Sequence, residues 1–266
     1  MRGFRLSVLP LVTALVVTLM LSACSNTPID NTLGWSHDKL YNEAKDESKS
    51  GGWDKAIVMF DKLESRAAGT PLAQQAQLEK AFAQFKTGDK IQGLATLDRF
   101  LKLHPASPAV DYALYLKGLI NFNENLGMFS FITRQDLSER DQKAAKDSYE
   151  SFKELSARFP DSKYASDARQ RMTYIVNSLA SYEVHVARYY YNRGAYVAAI
   201  NRAQLAISDF QGVPAVEEAL GILMSSYDAL GMVELRDDTR RVLEKSFPKS
   251  PPELNVNEPK AWWKFW

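Results

Sequence analysis

The sequence predicts an all-α protein in which helical hairpins stack into a superhelical solenoid. Three observations support this fold class. Apolar residues recur at helical spacing from about residue 37 to residue 247. Glycine accounts for only 13 of the 266 residues, and alternating runs of β-branched residues are nearly absent after the first 23. Short turns that contain glycine recur at a fixed spacing between the helical segments.

The turn glycines define the repeat. Two pairs of them share a spacing of 37 residues: Gly51 with Gly88, and Gly194 with Gly231. Three turns are followed, five positions on, by a small residue that would allow two helices to cross closely: Ala56, Gly93 and Ala199. Pro105 and Pro248 lie 17 residues after a turn glycine, where proline would end the second helix. These features resemble the tetratricopeptide repeat, a helix–turn–helix unit with a 34-residue period.

We predict about five helix–turn–helix units, with an insertion in the third and a long first helix in the fourth. Their approximate ranges are 37–70, 71–106, 107–160, 161–211 and 212–248. One hairpin buries too little apolar surface to offset the conformational entropy that folding removes, so such units are stable only when several of them stack. The stack is expected to form a superhelix whose concave face suits extended segments of other proteins.

Residues 1–23 are predicted to be a lipoprotein signal peptide. Arg2 and Arg5 precede an apolar run of 14 residues at 8–21, which is short for a bilayer-spanning helix. The following Leu21-Ser22-Ala23-Cys24 resembles the lipobox of bacterial lipoproteins, and Cys24 is the only cysteine. This resemblance implies that the leader is cleaved before Cys24, which then carries an N-acyl chain and an S-diacylglycerol group. The alternative is an ordinary cleaved signal with an incidental cysteine.

The resemblance also implies a location. In lipoproteins, an aspartate after the lipidated cysteine retains the protein at the inner membrane, whereas Ser25 stands here. We therefore expect a lipid-anchored protein of the outer membrane that faces the periplasm. Residues 24–36 are interpreted as a polar tether between the anchor and the helical domain.

Composition and motifs argue against several functional classes. Loss of the leader would change the formal net charge from +1 to −1, and charges of both signs are interspersed, so a nucleic-acid partner is not expected. No catalytic motif of the GxSxG, GxxxxGK[ST], HExxH or CxxC type occurs. We therefore predict a protein that is not an enzyme, with no metal site and no cofactor other than the lipid on Cys24.

Three long stretches carry a more specific resemblance. They are VDYALYLKGLINF at 110–122, DLSERDQKAAKDSYESFKELSARFPDSKYASDA at 136–168, and YEVHVARYYYNRGAYVAAINR at 182–202. They resemble the BamD family, the tetratricopeptide-repeat lipoproteins of the outer-membrane β-barrel assembly machinery. The resemblance extends from the lipobox to about residue 248, and residues 251–266 are not part of it.

The resemblance implies a non-catalytic scaffold with several partners. The C-terminal repeats would bind the periplasmic domains of BamA, and other surfaces would contact the smaller Bam lipoproteins. The N-terminal repeats would receive unfolded outer-membrane β-barrel proteins as clients. The alternative is a tetratricopeptide lipoprotein that scaffolds peptidoglycan or DNA-uptake (competence) machinery.

Candidate residues of a client-binding groove come from the first three units. Leu78, Phe82 and Phe85 recur at helical spacing, and Tyr41 and Tyr115 fall at equivalent places in units one and three. Aromatic side chains in a groove would suit an aromatic client signal. The alternative, which spacing alone favours, is that the Leu78 stripe forms core. Three polar residues occupy expected core positions, so that either the register is shifted or the helix packs loosely: Gln77, Lys80 and Gln84.

Two further groups are candidates for partner docking. The insertion carries an apolar cluster that includes Met128, Phe129 and Phe131, which would either contact a partner or fold back onto neighbouring helices. The fourth unit carries arginines beside tyrosines, a composition typical of interface hot spots. These arginines are Arg188, Arg193 and Arg202, and the alternative for each is a solvated residue or a local ion pair.

Residues 249–266 are predicted to be a proline-containing tail with aromatic residues. Trp262, Trp263, Phe265 and Trp266 follow a linker with several prolines. Three interpretations remain open. The aromatic residues could cap the last unit, could sit at a membrane interface together with Lys260 and Lys264, or could imitate the aromatic end of a client and occupy a client-binding groove.

Overall fold

The computed structural model describes residues 30–122 and 139–248, with side chains from residue 142 onwards in the second range. These ranges contain ten helices and no strand, which confirms the predicted fold class. The helices are α1 (His37–Lys49), α2 (Trp53–Arg66), α3 (Pro71–Lys86), α4 (Lys90–Leu103), α5 (Val110–Asn121), α6 (Glu139–Arg158), α7 (Ala165–Asn192), α8 (Tyr196–Asp209), α9 (Ala215–Ala229) and α10 (Val233–Ser246).

The helices form five consecutive pairs, and tight turns join the two helices of most pairs. Gly88 and Gly194 have φ angles of +84° and +73°, a left-handed conformation that side chains other than glycine rarely adopt. Side chains cap the starts of α1, α3 and α4. The Thr70 hydroxyl accepts a hydrogen bond from the backbone N–H of Ala73, and Pro71 occupies the first helical position.

Each helix packs against the next one along the chain, so the pairs stack into a solenoid. First helices of neighbouring pairs also approach one another, α3 with α5 and α7 with α9. No comparable contact joins second helices within the described ranges. The stack therefore curves towards its first helices, so that α1, α3, α5, α7 and α9 line the concave face and the second helices form the outer row.

The core repeats with the units. The second helix of each pair buries a residue at the same repeat position. This position lies twelve residues after the turn glycine or, in α6, seven residues after the small crossing residue. The buried residues are Leu63, Phe100, Phe152, Ala206 and Leu243. The crossing positions Ala56, Gly93 and Ala199 are also buried. At Gly93, an added Cβ would lie 3.2 Å from the Ile120 side chain and 3.4 Å from the Ala81 carbonyl oxygen. The small residues thus permit the close crossing that the sequence predicted.

Helix α7 connects the two halves of the solenoid. Its 28 residues make it the longest of the described helices. Ile175 and Leu179 belong to the apolar core of units two and three, whereas Val184 and Ala187 belong to the core of units four and five. One continuous helix therefore fixes the orientation of the C-terminal pairs relative to the N-terminal ones.

The expectation of a register shift or loose packing in α3 is wrong. Gln77, Lys80 and Gln84 are buried, as the repeat register requires. The Thr96 hydroxyl donates to Gln84 Oε1 at 2.9 Å, and Gln77 Nε2 donates to the Thr96 carbonyl at 3.4 Å. Lys80 Nζ lies 2.9 Å from Asp61 and 2.6 Å from Glu64. Hydrogen bonds and ion pairs thus satisfy these polar groups at core positions.

Several sequence predictions lie outside the described residues. They concern the leader and lipobox, most of the tether, the insertion cluster at Met128, Phe129 and Phe131, and the tail 249–266. Across residues 30–122 and 139–248, none of the helices combines the length and the apolar character needed to cross a bilayer.

Candidate partner-binding surfaces

Side chains of α1 and α3 meet on the concave face. Gln75 Nε2 donates a hydrogen bond of 2.6 Å to the Tyr41 hydroxyl, and Lys45 Nζ lies 2.7 Å from Glu79 Oε1. Tyr41 is half-buried, and burial together with the charge of Glu79 raises the pKa of its hydroxyl. The phenol is therefore neutral in the physiological range, and part of it remains accessible.

The three apolar candidates on α3 have different environments. Leu78 is only 5% exposed and belongs to the core. Phe82 and Phe85 are half-buried. The Phe82 ring packs edge-on against Trp53 with a centroid distance of 5.9 Å, and Lys86 Nζ lies 5.8 Å from the centroids of both rings. Among these three candidates, the accessible apolar surface thus comes from the phenylalanines, not from Leu78.

An aromatic stack continues the concave face from α5 to α7. The rings of Tyr115 and Tyr164 stack with centroids 4.6 Å apart, and Tyr112 lies 5.6 Å from Tyr164. The Tyr115 hydroxyl donates to Asp167 Oδ2 at 2.8 Å. Arg171 Nε donates to the same oxygen at 2.6 Å. Two hydrogen bonds therefore fix one carboxylate, and with it the position of the tyrosine stack.

The charges of this stack are compensated internally. Burial alone would raise the pKa of Asp167, but the hydrogen bonds from Arg171 and Tyr115 outweigh it and lower that pKa. Burial raises the pKa of Tyr112, and Glu79 raises it further. The Arg171 guanidinium lies 4.7 Å from the centroid of the Phe122 ring. We define the aromatic ladder as Tyr41, Phe82, Phe85, Tyr112, Tyr115, Phe122 and Tyr164.

The ladder has members on, or directly next to, the four first helices α1, α3, α5 and α7. Its rings offer flat apolar surface, while the carboxylates beside them are already paired. Such a surface favours stacking with aromatic side chains of an extended segment over recognition of a strongly charged ligand.

The three arginine candidates of the fourth unit have separate roles. Arg188 on α7 forms an ion pair with Glu218 on α9, and their side chains are only 14% and 17% exposed. Arg193, at the turn, lies over the Tyr189 ring at 4.8 Å. Arg202 on α8 pairs with Glu183 at 3.0 Å and keeps 42% of its side chain exposed. Arg188 thus joins two repeats internally, whereas Arg193 and Arg202 remain accessible.

An apolar strip in the outer row was not anticipated. Leu205 on α8 and Val242 on α10 hold the same repeat position, eleven residues after the turn glycine, and are 37% and 49% exposed. Leu235, seven residues or about two helical turns before Val242, is 45% exposed. We call these three residues the outer strip. A comparison of repeat positions could have revealed it, because the equivalents of Leu205 in units one to three are polar: Lys62, Arg99 and Ser151.

The paired-helix solenoid with an aromatic concave face defines a tetratricopeptide-repeat scaffold, and the described ranges contain no cluster of His, Cys, Asp and Glu that could hold a metal ion. The model of the YfiO outer membrane lipoprotein family matches residues 35–243. The outer membrane protein assembly factor BamD of Neisseria meningitidis serogroup A is 46% identical over 93% of this chain and 96% of its own length. Its namesake in Xylella fastidiosa Temecula1 is 34% identical over 82% of this chain and 74% of its own.

The chain therefore belongs to the YfiO (BamD) family of outer membrane lipoproteins. This membership confirms the predicted family, the outer-membrane location and the prediction that the protein is not an enzyme. Among solved structures, a TPR protein of Thermus thermophilus covers 81% of the chain at 12% identity with a TM-score of 0.37, a likeness too weak to bear on function.

Proposed function

We propose that this protein is a scaffold of the outer-membrane β-barrel assembly complex. Lipid on Cys24 anchors it to the outer membrane, the C-terminal units bind the periplasmic domains of BamA, and the concave face receives unfolded β-barrel clients. The proposal is supported by the similarity to proteins named outer membrane protein assembly factor BamD, over almost the whole chain.

One structural observation carries the proposal: the two accessible surfaces are separate. The aromatic ladder lies on first helices, from α1 to the start of α7. The outer strip and Arg202 lie on second helices, α8 and α10. A client on the concave face and a partner on the outer row would therefore not compete for the same side chains. This is what a scaffold requires, because it must hold both at once.

The outer strip and Arg202 together have the composition of a docking site. Leu205 lies three residues after Arg202 on α8, so both side chains point to neighbouring parts of the same helix face. An arginine beside accessible aliphatic side chains is typical of interface hot spots. Other Bam lipoproteins would contact remaining surfaces, for which the insertion residues Met128, Phe129 and Phe131 stay candidates.

The docking test is a titration of the full mature chain with the purified BamA periplasmic domains from the same organism. Charge reversal at Arg202 should weaken binding by about ten-fold or more, because it leaves an opposing charge of the partner unpaired. Arg99→Glu is the matched control, since Arg99 is 50% exposed and pairs with Glu64 at 2.7 Å, but lies in unit two. Equal affinities of the two variants would contradict docking at the C-terminal units.

The client test uses a labelled peptide that ends in an aromatic residue and carries spaced aromatic side chains. It should bind the intact chain and lose affinity when Phe82 is replaced by alanine. Tyr189→Ala is the control, because Tyr189 is 50% exposed and lies outside the ladder. Binding to purified peptidoglycan, with no affinity for the peptide or for BamA, would instead support the scaffold of peptidoglycan or DNA-uptake machinery.

A further inference from the structure

The last helix pair ends the solenoid with charged residues. On α8, the residues that pack against the following unit are apolar: Ile200, Ala203 and Ile207. The residues 37 positions later, on α10, are Asp237, Arg240 and Glu244. Asp237 pairs with Arg236 at 2.9 Å and with Arg240 at 3.6 Å. At these three positions, the surface that a sixth unit would cover is thus polar, as is typical of a terminal repeat.

This charged end argues against the simplest role for the aromatic tail. A tail that caps the solenoid needs an apolar surface at the open end, and α10 carries charged side chains at these three positions. The exposed apolar side chains of α10 are Val233, Leu235 and Val242, and the last two form the outer strip together with Leu205. In units one to three the same row carries Lys62, Arg99 and Ser151. At this one repeat position, the described second helices are therefore apolar only in units four and five, the end of the solenoid from which the tail continues.

We propose that the aromatic end of the tail, residues 262–266, binds the outer strip of its own chain and is displaced when a partner docks there. The competition with BamA rests on the function proposed above, whereas binding of the tail to the strip does not.

The length of the tail permits this contact. Residues 249–261 separate the last described residue, Pro248, from the first tail tryptophan. Thirteen extended residues span up to about 43 Å, at roughly 3.3 Å each. Helix α10 has 14 residues and is about 21 Å long, at 1.5 Å per residue. The tail can therefore turn back and reach any part of α10, and it can extend towards α8, which packs against the other side of the contact helix α9.

The chemistry of the two surfaces also fits. Three tryptophans and one phenylalanine lie within residues 262–266, and large aromatic side chains bury the most apolar surface per residue. The strip supplies accessible leucine and valine side chains. Because tail and strip belong to one chain, the tail is present at an effective concentration in the millimolar range, so even a weak contact would be occupied most of the time.

The first test measures binding of a labelled peptide with the sequence of residues 257–266. The receptor is the full mature chain in which Trp262, Trp263, Phe265 and Trp266 are all replaced by serine. We expect this chain to bind the peptide at least about five-fold more tightly than the unaltered chain, whose own tail occupies the strip. Adding Leu205→Gln and Val242→Gln to the serine-substituted chain should abolish binding.

The matched control for the strip adds Val58→Gln and Ile91→Gln to the serine-substituted chain. These side chains are 54% and 71% exposed in units one and two. The control should bind the peptide like its parent. Equal peptide binding by all chains, or binding to vesicles of anionic phospholipid with none to any chain, would overturn the proposal. The second outcome would identify the tail as a membrane contact.

The second test titrates the same chains with the BamA periplasmic domains. Serine substitution of the tail should tighten docking several-fold, because the fraction of chains with an accessible strip increases. Unchanged docking after serine substitution, with docking lost in the Leu205→Gln, Val242→Gln chain, would overturn the competition and leave the proposed function intact. Peptide binding that depends on the strip, with no BamA binding by any chain, would support the tail contact and contradict the proposed function.

Discussion

Arg188 on α7 and Glu218 on α9 form an ion pair that is buried between the fourth and fifth helix pairs. Burial lowers the pKa of the Arg188 guanidinium, because it removes water from the charged group. The pair also joins the long helix α7 to the first helix of the last unit. It therefore links the last unit, which is proposed to bind BamA, to α7, the helix that contributes to the cores of both halves of the solenoid.

Breaking this pair should destabilise the protein strongly. Arg188→Met leaves the Glu218 carboxylate buried without its partner, and we expect a loss of about 3–5 kcal/mol in the free energy of unfolding. Urea unfolding followed by circular dichroism would measure it. The double change Arg188→Met, Glu218→Leu should recover most of the loss, since it removes both charges. Arg193→Met, at an exposed site, is the control. A single variant as stable as the parent would contradict the buried pair.

Gly118 should not tolerate a side chain. A Cβ at this position of α5 would lie 2.4–2.7 Å from three ring atoms of Phe152 on α6, and Phe152 is fully buried. Gly118→Ala should therefore cost about 1–3 kcal/mol through overpacking, despite the better helix propensity of alanine. Gly34→Ala is the control, because a Cβ added there would meet nothing within 4 Å and the φ of Gly34 is not positive. Thermal unfolding of the two variants would distinguish them.

Acid should release the start of the described chain from α2. Asp30 Oδ1 lies 2.6 Å from Lys62 Nζ, and Asp30 Oδ2 lies 2.8 Å from Arg66 Nη2. Hydrogen bonds from Lys62 and Thr32 hold the pKa of Asp30 well below its usual value. Because the folded pKa is lowered, the stabilisation is complete above the unfolded pKa of about 4 and is lost as the pH falls below it.

The urea midpoint of Asp30→Asn should therefore lie below that of the parent at pH 7 and at pH 5. The difference between the two midpoints should narrow progressively as the pH falls below about 4. Asp46→Asn is the control, because Asp46 pairs only with the exposed Lys49. A gap that persists unchanged at pH 2 would show that the carboxylate charge is not responsible.

Loss of one ring from the aromatic ladder should weaken client binding more than it weakens the fold. Phe82 is half-buried, and its ring packs edge-on against Trp53. We expect Phe82→Ala to reduce the affinity for an aromatic client peptide by about three- to ten-fold, since one aromatic pair contributes about 0.5–1.5 kcal/mol. Fluorescence anisotropy would measure the affinity. Unfolding curves of the same sample would show whether loss of structure explains the effect.

The sequence predicted the fold well because the repeat is encoded locally. The turns at Gly88 and Gly194 need a positive φ, which favours glycine, and the close helix crossing at Gly93 needs a small residue. Both requirements can be read from single positions. The predicted looseness of α3 was wrong for a related reason: whether a polar residue such as Lys80 fits a core depends on Asp61 and Glu64, which another helix supplies.

The binding surfaces were harder to predict. Tyr115 was a reasonable candidate from its repeat position, but its stack with Tyr164 and its bond to Asp167 join residues about fifty positions apart. Arg188, Arg193 and Arg202 were equivalent by composition, and only their neighbours in space separate a buried pair from accessible side chains. The outer strip was missed because it becomes visible only when residues at the same repeat position are compared between units. No single helix shows it.

The bonds from Asp30 to Lys62 and Arg66 also limit how far the protein can travel from its membrane. In the proposed lipidated state, only residues 24–29 separate the acyl chains from the point where the chain is fastened to α2. Six residues span at most about 20 Å, at roughly 3.3 Å each. The first helix pair would thus stay close to the lipid headgroups. The concave face would then meet clients by diffusion along the membrane, and not by diffusion through the periplasm.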